Sequence, residues 1–265
     1  IKAAEQAIRS LRLVLPRKPS RRYHADARGQ LIDLRQSLKS APGYFGAVLP
    51  QWRRKLAEDR PIVILLDISG SMENYTRLML HFMHTLMQQH PRVHAFIFGT
   101  QLTNITRALR KRDVDAALDA VTDAAVDWSG GTRIADSIGD FNRNWSRRVL
   151  AGSPLVLLVT DGLEKQHDER LAFEIERLQK SCHRLIWLNP LLRFDEFSPQ
   201  SLSIRRILAH VDAFLPIHSL NAMSGLVAGL AKIAQNRDGR IAEWQRQARR
   251  ISAEKERETE QETEQ

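Results

Sequence analysis

Two uninterrupted runs of apolar residues constrain the fold of this chain more than any other feature. They read Ile-Val-Ile-Leu-Leu over residues 62–66 and Leu-Val-Leu-Leu-Val over residues 155–159. Neither run alternates apolar with polar residues, which is typical of strands buried on both faces at the centre of a parallel sheet. Asp67 follows the first run, and Thr160 and Asp161 follow the second. The runs therefore predict two central strands with polar residues at their carboxyl ends.

Weaker patterns surround these two runs. The spacing of apolar residues predicts helices over residues 73–90, 113–122, 133–146, 168–182 and 219–236. Further strands are predicted over residues 92–98, 102–106, 185–188 and 212–217. Strands that alternate with helices of this length predict an α/β fold, a doubly wound and mostly parallel sheet flanked by helices, as in Rossmann-like domains. Such sheets bind ligands at the carboxyl ends of their strands, near the topological switch point.

The charge of the chain is distributed unevenly. Residues 1–60 contain 14 Lys and Arg against 5 Asp and Glu, and the two kinds balance in the remainder, so the net charge of +9 belongs to the N-terminal segment. Residues 254–265 are nearly all Glu, Thr and Gln. We predict a basic extension over 1–60, one α/β domain over 61–236, and a charged helical or disordered tail over 237–265.

The composition excludes several classes of protein. Cys182 is the single cysteine, which excludes a disulfide framework and a zinc site built from cysteines, and its place on an apolar helical stripe predicts a small core residue. No apolar run approaches the ~20 residues that span a bilayer, and no secretory signal opens the chain. We therefore expect a soluble, cytoplasmic protein. The chain begins at Ile1 and not at methionine, which is compatible with a fragment.

Three clusters of hydroxyls and carboxylates fall where the predicted fold places a ligand site. They are Asp67-Ile-Ser69-Gly-Ser71, Ser129-Gly-Gly-Thr132 and Thr160-Asp161-Gly162. The candidate metal ligands are all hard oxygens, which suit Mg²⁺ or Mn²⁺ better than zinc or copper: Asp67, Ser69, Ser71, Thr132 and Asp161. If the first loop stays extended, its i, i+2, i+4 spacing points all three side chains to one side. The same residue types also serve as ordinary turn and cap residues, so one cluster alone would be weak evidence.

These clusters resemble the metal-ion-dependent adhesion site (MIDAS) of von Willebrand factor type A (VWA) domains, and further segments resemble the CoxE-like branch of that family. The segments are Asp33-Leu-Arg35, Phe96-Ile-Phe98, Leu102-Thr103, Asp127-Trp-Ser-Gly-Gly-Thr132, Phe141-Asn142 and Trp187-Leu-Asn-Pro190. The resemblance covers about residues 20–230 and implies a VWA-like domain over residues 61–236. All five candidate ligands match the family pattern.

The resemblance also implies a function. Ser69, Ser71 and Thr132 would bind the ion through their hydroxyls, and Asp67 and Asp161 would bind it mainly through waters. One coordination position would remain for a carboxylate of a partner protein. CoxE-like proteins resemble companions of MoxR-type AAA+ ATPases that act in the maturation or activation of metalloenzymes such as carbon monoxide dehydrogenase. The implied function is a metal-dependent protein-binding module that is not an enzyme.

Catalytic alternatives lack essential residues. Asp67 after a buried strand could be a phosphoryl acceptor, but such phosphatases need a second carboxylate where Ser69 stands. Neither Ser69 nor Ser71 lies in the Gly-x-Ser-x-Gly turn of an esterase, and the chain contains no Gly-x₄-Gly-Lys-Ser/Thr loop for ATP.

Other features leave more than one interpretation open. The pair His81 and His84 could hold a metal, but solvated or partly buried histidines are the more economical interpretation. Trp128 could pack under the Gly-Gly-Thr loop or face a partner as an anchor.

The basic arm, too, has more than one interpretation. It could be a solvated extension, could grip phosphates of a nucleic acid with Tyr23 and His24 stacking on bases, or could dock on an acidic protein. Repeated interleaving of aromatic and basic residues is absent, which favours a protein partner over nucleic acid. The basic residues of this arm are Arg17, Lys18, Arg21, Arg22, Arg28 and Arg35.

Overall fold

A computed structural model describes most of the chain. The described residues are 17–45, 47–125, 131, 133–164, 169–193, 197–217, 219–235 and 238–263. Residues 1–16 and the candidate residues Trp128 and Thr132 lie outside them. The chain divides into two compact units, Pro16–Arg60 and a larger one that includes Pro61–Gln265.

The smaller unit contains a three-stranded antiparallel sheet that the sequence pattern did not predict. Its strands are β1 (Arg17–Ala25), β2 (Leu31–Ile32) and β3 (Trp52–Asp59), in the order β1-β3-β2. Between β2 and β3 lies the short helix α1 (Leu34–Ser40), capped by the Asp33 carboxylate, which accepts a hydrogen bond from Gln36 N. A 3₁₀ turn over Ala41–Tyr44 follows it.

The larger unit is built on a six-stranded sheet. Its strands in chain order are β4 (Ile62–Asp67), β5 (Val93–Phe98), β6 (Leu102–Asn104), β7 (Leu155–Val159), β8 (Arg184–Asn189) and β9 (Ala213–Pro216). Their order in the sheet is β6-β5-β4-β7-β8-β9, and all neighbours pair in parallel except β5 and β6. The predicted, mostly parallel sheet is confirmed.

Helices connect these strands. They are α2 (Glu73–Gln89), α3 (Thr106–Leu109), α4 (Val114–Ala124), α5 (Ile134–Asp140), α6 (Ser146–Val149), α7 (Arg170–Ser181), α8 (Leu202–Leu208), α9 (Leu220–Gln235) and α10 (Ile241–Thr263). The helix predicted over residues 133–146 is confirmed as a continuous helical segment, in which a π-helical turn over Phe141–Trp145 lies between α5 and α6. Within the described residues, no helix is both long and apolar enough to cross a membrane.

The central strands are buried on both faces, as their apolar runs predict. Along β4, Ile64 and Leu66 belong to one apolar cluster with residues of α2, whereas Val63 and Leu65 belong to a second cluster with residues of α5 and α7. Helices therefore cover both sides of the sheet, which confirms the doubly wound architecture.

The C-terminal helix takes part in this packing. Ile241, Ala248 and Ile251 of α10 are buried, and the Trp244 ring lies 5.6 Å from the Phe214 ring of β9 between centroids. The first three turns of α10 thus belong to the apolar core of the larger unit.

The strand order creates a switch point between β4 and β7. From β4 the chain proceeds to β5 and β6 on one side of the sheet, and then crosses to β7 on the other side of β4. Connections that leave neighbouring strands in opposite directions open a crevice at their carboxyl ends. Asp67 and Asp161 lie at this crevice.

Candidate functional site

Asp67 is the last residue of β4 and the most enclosed carboxylate of the site. Its side chain is fully buried. Oδ1 accepts a hydrogen bond of 2.9 Å from Ser69 N, and Oδ2 accepts one of 2.7 Å from the Thr160 hydroxyl at the end of β7. Burial raises the pKa of Asp67 to about 6, and the nearby charge of Asp161 adds to the rise, against the lowering effect of the hydrogen bonds from Ser69 and Thr160. The Asp67 carboxylate is therefore costly to keep ionised without a cation beside it.

Ser69 and Ser71 face each other across the loop that follows β4. The loop does not meet the condition of staying extended, because it forms a 3₁₀ turn over Gly70–Met72 before α2 begins. Even so, the two Oγ atoms lie 3.2 Å apart. Ser69 is buried and Ser71 is exposed, so the pair reaches from the enclosed carboxylate to the solvent.

Asp161 supplies a carboxylate oxygen that is not satisfied within the described residues. Its Oδ1 accepts a hydrogen bond of 2.9 Å from Leu163 N, whereas its Oδ2 is buried and has no hydrogen-bond partner in the described part of the chain. The side chain is 2% exposed. A buried anionic oxygen without a donor costs free energy, and a cation is one group that would compensate it.

Three side chains that were not predicted as site residues donate hydrogen bonds to the backbone of the loop that carries Asp161. Trp187 Nε1 donates to the Thr160 carbonyl at 2.9 Å, and Asn189 Nδ2 donates to the Asp161 carbonyl at 3.0 Å. The Ser203 hydroxyl donates to the Gly162 carbonyl at 2.7 Å. Only the segment Trp187–Pro190 carried a signal, through its resemblance to the family.

A glycine is required at position 162 both by the backbone conformation and by the space that the Trp187 ring leaves. Its φ is +76°, in the left-handed region that favours glycine, and a Cβ built there would lie 2.7 Å from Trp187 Cζ2. The tight turn after Asp161 therefore packs directly on the indole ring.

The residues that follow Thr132 in the chain connect the site to β5. Arg133 N donates to the carbonyl of Gly99, the residue after β5, at 3.0 Å. Glu164 Oε1 accepts a hydrogen bond of 3.4 Å from Ala135 N in the first turn of α5. The start of α5 is thus linked both to the end of β5 and to the loop that carries Asp161, whereas the place of Thr132 itself lies outside the described residues.

The donor set decides which ions this edge could hold. Within the described residues, no group of three or more His, Cys, Asp or Glu is arranged to hold a metal. A cation here would therefore need the serine hydroxyls in addition to Asp67 and Asp161. This set consists of oxygens alone, which fits a hard divalent cation.

The other candidate residues have structural partners. His81 and His84 are buried in α2, and His84 Nε2 donates to the Lys111 carbonyl at 2.9 Å. Cys182 is partly buried and packs against the apolar cluster under α7, and burial raises the pKa of its thiol to about 12. Cys182 therefore packs against the core, as predicted, whereas both histidines are buried and not solvated or partly buried. Neither histidine belongs to a group of metal-binding residues within the described part of the chain.

Similar proteins were found at the level of family and fold. The model of the family described as "VWA domain containing CoxE-like protein" matches residues 5–223. No curated protein matches the chain significantly.

Solved structures that resemble the chain include proximal thread matrix protein 1 from the mussel byssus, at 16% identity and a TM-score of 0.45, over 66% of this chain and 48% of that one. A second structure of that protein, described with a zinc-occupied MIDAS motif, has the same identity, TM-score and coverage. An aerotolerance-related membrane protein from Bacteroides fragilis matches at 13% identity and a TM-score of 0.43, over 65% of this chain and 98% of that one. The chain spans about half the length of the mussel protein. Because the family match extends over most of its residues, the chain belongs to the family of VWA domain containing CoxE-like proteins.

Proposed function

We propose that this chain is a protein-binding module that depends on a divalent cation, Mg²⁺ or Mn²⁺. The ligands would be Asp67, Ser69, Ser71, Thr132 and Asp161. The observation that carries the proposal is the buried Asp161 Oδ2, which has no hydrogen-bond partner among the described residues and lies at the same edge as Asp67 and the paired serine hydroxyls.

The donor set supports recognition of a carboxylate. Hydroxyl ligands bring no charge, so an ion held by them keeps much of its attraction for an incoming anion. Ser71 is exposed, and a partner can therefore approach the ion from the solvent side of this serine. An Asp or Glu of a partner protein would complete the coordination sphere.

The partner we propose is a MoxR-type AAA+ ATPase, and the process is the maturation or activation of a metalloenzyme related to carbon monoxide dehydrogenase. Membership of the CoxE-like family supports this proposal. ATP hydrolysis would belong to the partner, since this sequence has no Gly-x₄-Gly-Lys-Ser/Thr loop.

The decisive experiment is a calorimetric titration of the full chain with the ATPase, in Mg²⁺ and in EDTA. Ser69→Ala with Ser71→Ala should weaken binding by about 2 kcal/mol or more, the scale of losing a desolvated charge contact. The matched control is Ser181→Ala with Ser252→Ala, which removes two hydroxyls from helices α7 and α10. Equal binding by the wild type and the site variant, or binding indifferent to EDTA, would contradict the proposal.

We further propose that the chain has no catalytic activity of its own. The serine hydroxyls would act as metal ligands, so phosphoesters, carboxylic esters and ATP should not be turned over. Turnover of a generic phosphoester that disappears in Ser69→Ala, and persists in Ser181→Ala, would refute this part.

A further inference from the structure

The smaller unit exposes apolar side chains instead of burying them. Among its described residues only Ser37 is buried. Its exposed large apolar side chains are Tyr23, Leu31, Ile32, Leu34, Leu38, Tyr44, Phe45, Val48, Leu49, Trp52 and Leu56. An exposed set of this size marks an interaction surface, because apolar side chains in contact with water forgo the free energy that burial provides.

Six of these side chains come from one short stretch, which we call the apolar segment: Leu34, Leu38, Tyr44, Phe45, Val48 and Leu49. Leu34 and Leu38 lie one turn apart on α1 and are 70% and 63% exposed. Phe45 follows the 3₁₀ turn, and its side chain is wholly exposed. The segment therefore offers both a helical face and an aromatic side chain to a partner.

The charges of the smaller unit are mostly positive. Residues 17–60 contain 11 Lys and Arg against 4 Asp and Glu, although Arg53 pairs with Asp33 and Arg54 pairs with Asp26. An apolar surface bordered by cations is complementary to an apolar surface bordered by anions.

The distribution of the remaining apolar residues favours a protein as the partner. Leu31 pairs with Arg53 and Ile32 pairs with Trp52 across β2 and β3. Successive residues of a strand point to opposite faces, so apolar side chains occupy both faces of this small sheet. A flat membrane can cover one side of such a unit, whereas a polypeptide can cover both.

Stability arguments agree with a bound partner. Small units of a few tens of residues seldom bury enough apolar surface to be stable without metals, disulfides or association. We infer that the unit of residues 16–60 is a second docking surface for the ATPase partner, and that it binds, independently of the metal, an apolar surface of that protein bordered by Asp and Glu. This inference rests on the proposed function, because the ATPase is its partner there.

The test compares two sets of variants of the full chain in the same titration. Leu34→Ser with Leu38→Ser and Phe45→Ser should weaken binding to the ATPase at least tenfold in Mg²⁺, and should also weaken the residual binding in EDTA. Phe45→Ser alone, at a side chain with full exposure, keeps the test valid if the triple variant folds poorly. Phe173→Ser on α7 is the matched control, since Phe173 is a comparable exposed aromatic residue at 61% exposure in the larger unit.

The outcomes separate this inference from the proposed function. Wild-type affinity in Phe45→Ser and the triple variant, with weak binding in the serine variant, overturns the inference alone. Weak binding in the apolar variants, with wild-type affinity in the serine variant, supports the inference and overturns the metal dependence. No binding by the wild type overturns both. A protein partner is also overturned if the wild type binds anionic vesicles or an oligonucleotide, and the apolar variants lose that binding while their affinity for the ATPase is unchanged.

Discussion

The two units of this chain use apolar residues in opposite ways. In the larger unit Leu65 and Leu157 are fully buried between the sheet and its helices, and polar groups gather at one edge of the sheet. In the smaller unit Leu34 and Phe45 face solvent, and the sheet is held by strand pairing. The larger unit thus derives its stability from its own core, and the smaller one is built to be covered by another surface. Four predictions test this contrast, from the largest expected effect to the smallest.

The first prediction measures the core against the exposed segment. Leu157→Ala should lower the free energy of unfolding by about 2–5 kcal/mol, because it opens a cavity at the centre of the sheet. Leu34→Ala should change it by no more than about 0.5 kcal/mol, because Leu34 is 70% exposed. Urea unfolding followed by circular dichroism measures both. Equal losses in the two variants would mean that the apolar segment is packed in solution.

The second prediction concerns the turn that carries Asp161. Gly162→Ala should cost about 1–3 kcal/mol, since alanine is strained at a φ of +76° and its Cβ would meet Trp187. Gly43→Ala, in the smaller unit, should be nearly neutral, since a Cβ there would have no heavy atom within 4 Å among the described residues. Thermal unfolding distinguishes the two. A neutral Gly162→Ala would mean that the turn can move away from the indole ring.

Predictability also differed between the two units. The runs at β4 and β7 predicted burial on both faces, because every residue in them is apolar and such runs are typical of central strands in parallel sheets. In β1 the basic residues and Pro19 gave no alternation, and this strand is defined by its pairing with β3, which a single sequence pattern does not contain. Helix α8 was missed because it has seven residues, too few to give a clear period.

The sequence predicted which residues form the candidate site, but it did not predict the hydrogen bonds that position them. Asp67, Ser69, Ser71 and Asp161 were identified from their places after two buried strands. The contacts that hold the loop after β7 join residues far apart in sequence, such as Trp187 to Thr160 and Ser203 to Gly162. No local pattern encodes such pairs, and so only the ligands themselves could be read from the sequence.

The third prediction sharpens the role of the polar edge. Because burial raises the pKa of Asp67 above the ordinary 3.8 to about 6, the metal-free folded protein binds a proton more readily than the unfolded chain does. Its free energy of unfolding should therefore fall as the pH rises from about 4 to about 6, and this part of the stability is lost above about 6. A divalent cation offsets the loss by stabilising the carboxylate.

Millimolar Mg²⁺ should accordingly raise the melting temperature at pH 7.5, because an ion at about ten times its Kd adds about 1–2 kcal/mol to the free energy of unfolding. At pH 5 the ion must displace a proton from Asp67, so its apparent affinity should fall about tenfold per pH unit below the pKa. Differential scanning calorimetry at both pH values, with EDTA as reference, makes the measurement. No shift with Mg²⁺ or Mn²⁺ at either pH would remove the metal site.

The last prediction concerns the exposed charges of the smaller unit. Arg21 and Arg22 are exposed and lie where the pairing of β1 with β3 is irregular, so their replacement should disturb little of the sheet. Arg21→Glu with Arg22→Glu should weaken binding to the ATPase by less than about 1 kcal/mol at low salt, the usual scale for exposed charge pairs. The effect should vanish near 1 M salt, where charges are screened within about 3 Å. The matched control is Arg147→Glu with Arg148→Glu, an exposed pair on α6 of the larger unit that makes the same change in net charge. If both pairs weaken binding equally, the net charge of the protein steers association, and the smaller unit contributes through its apolar segment alone.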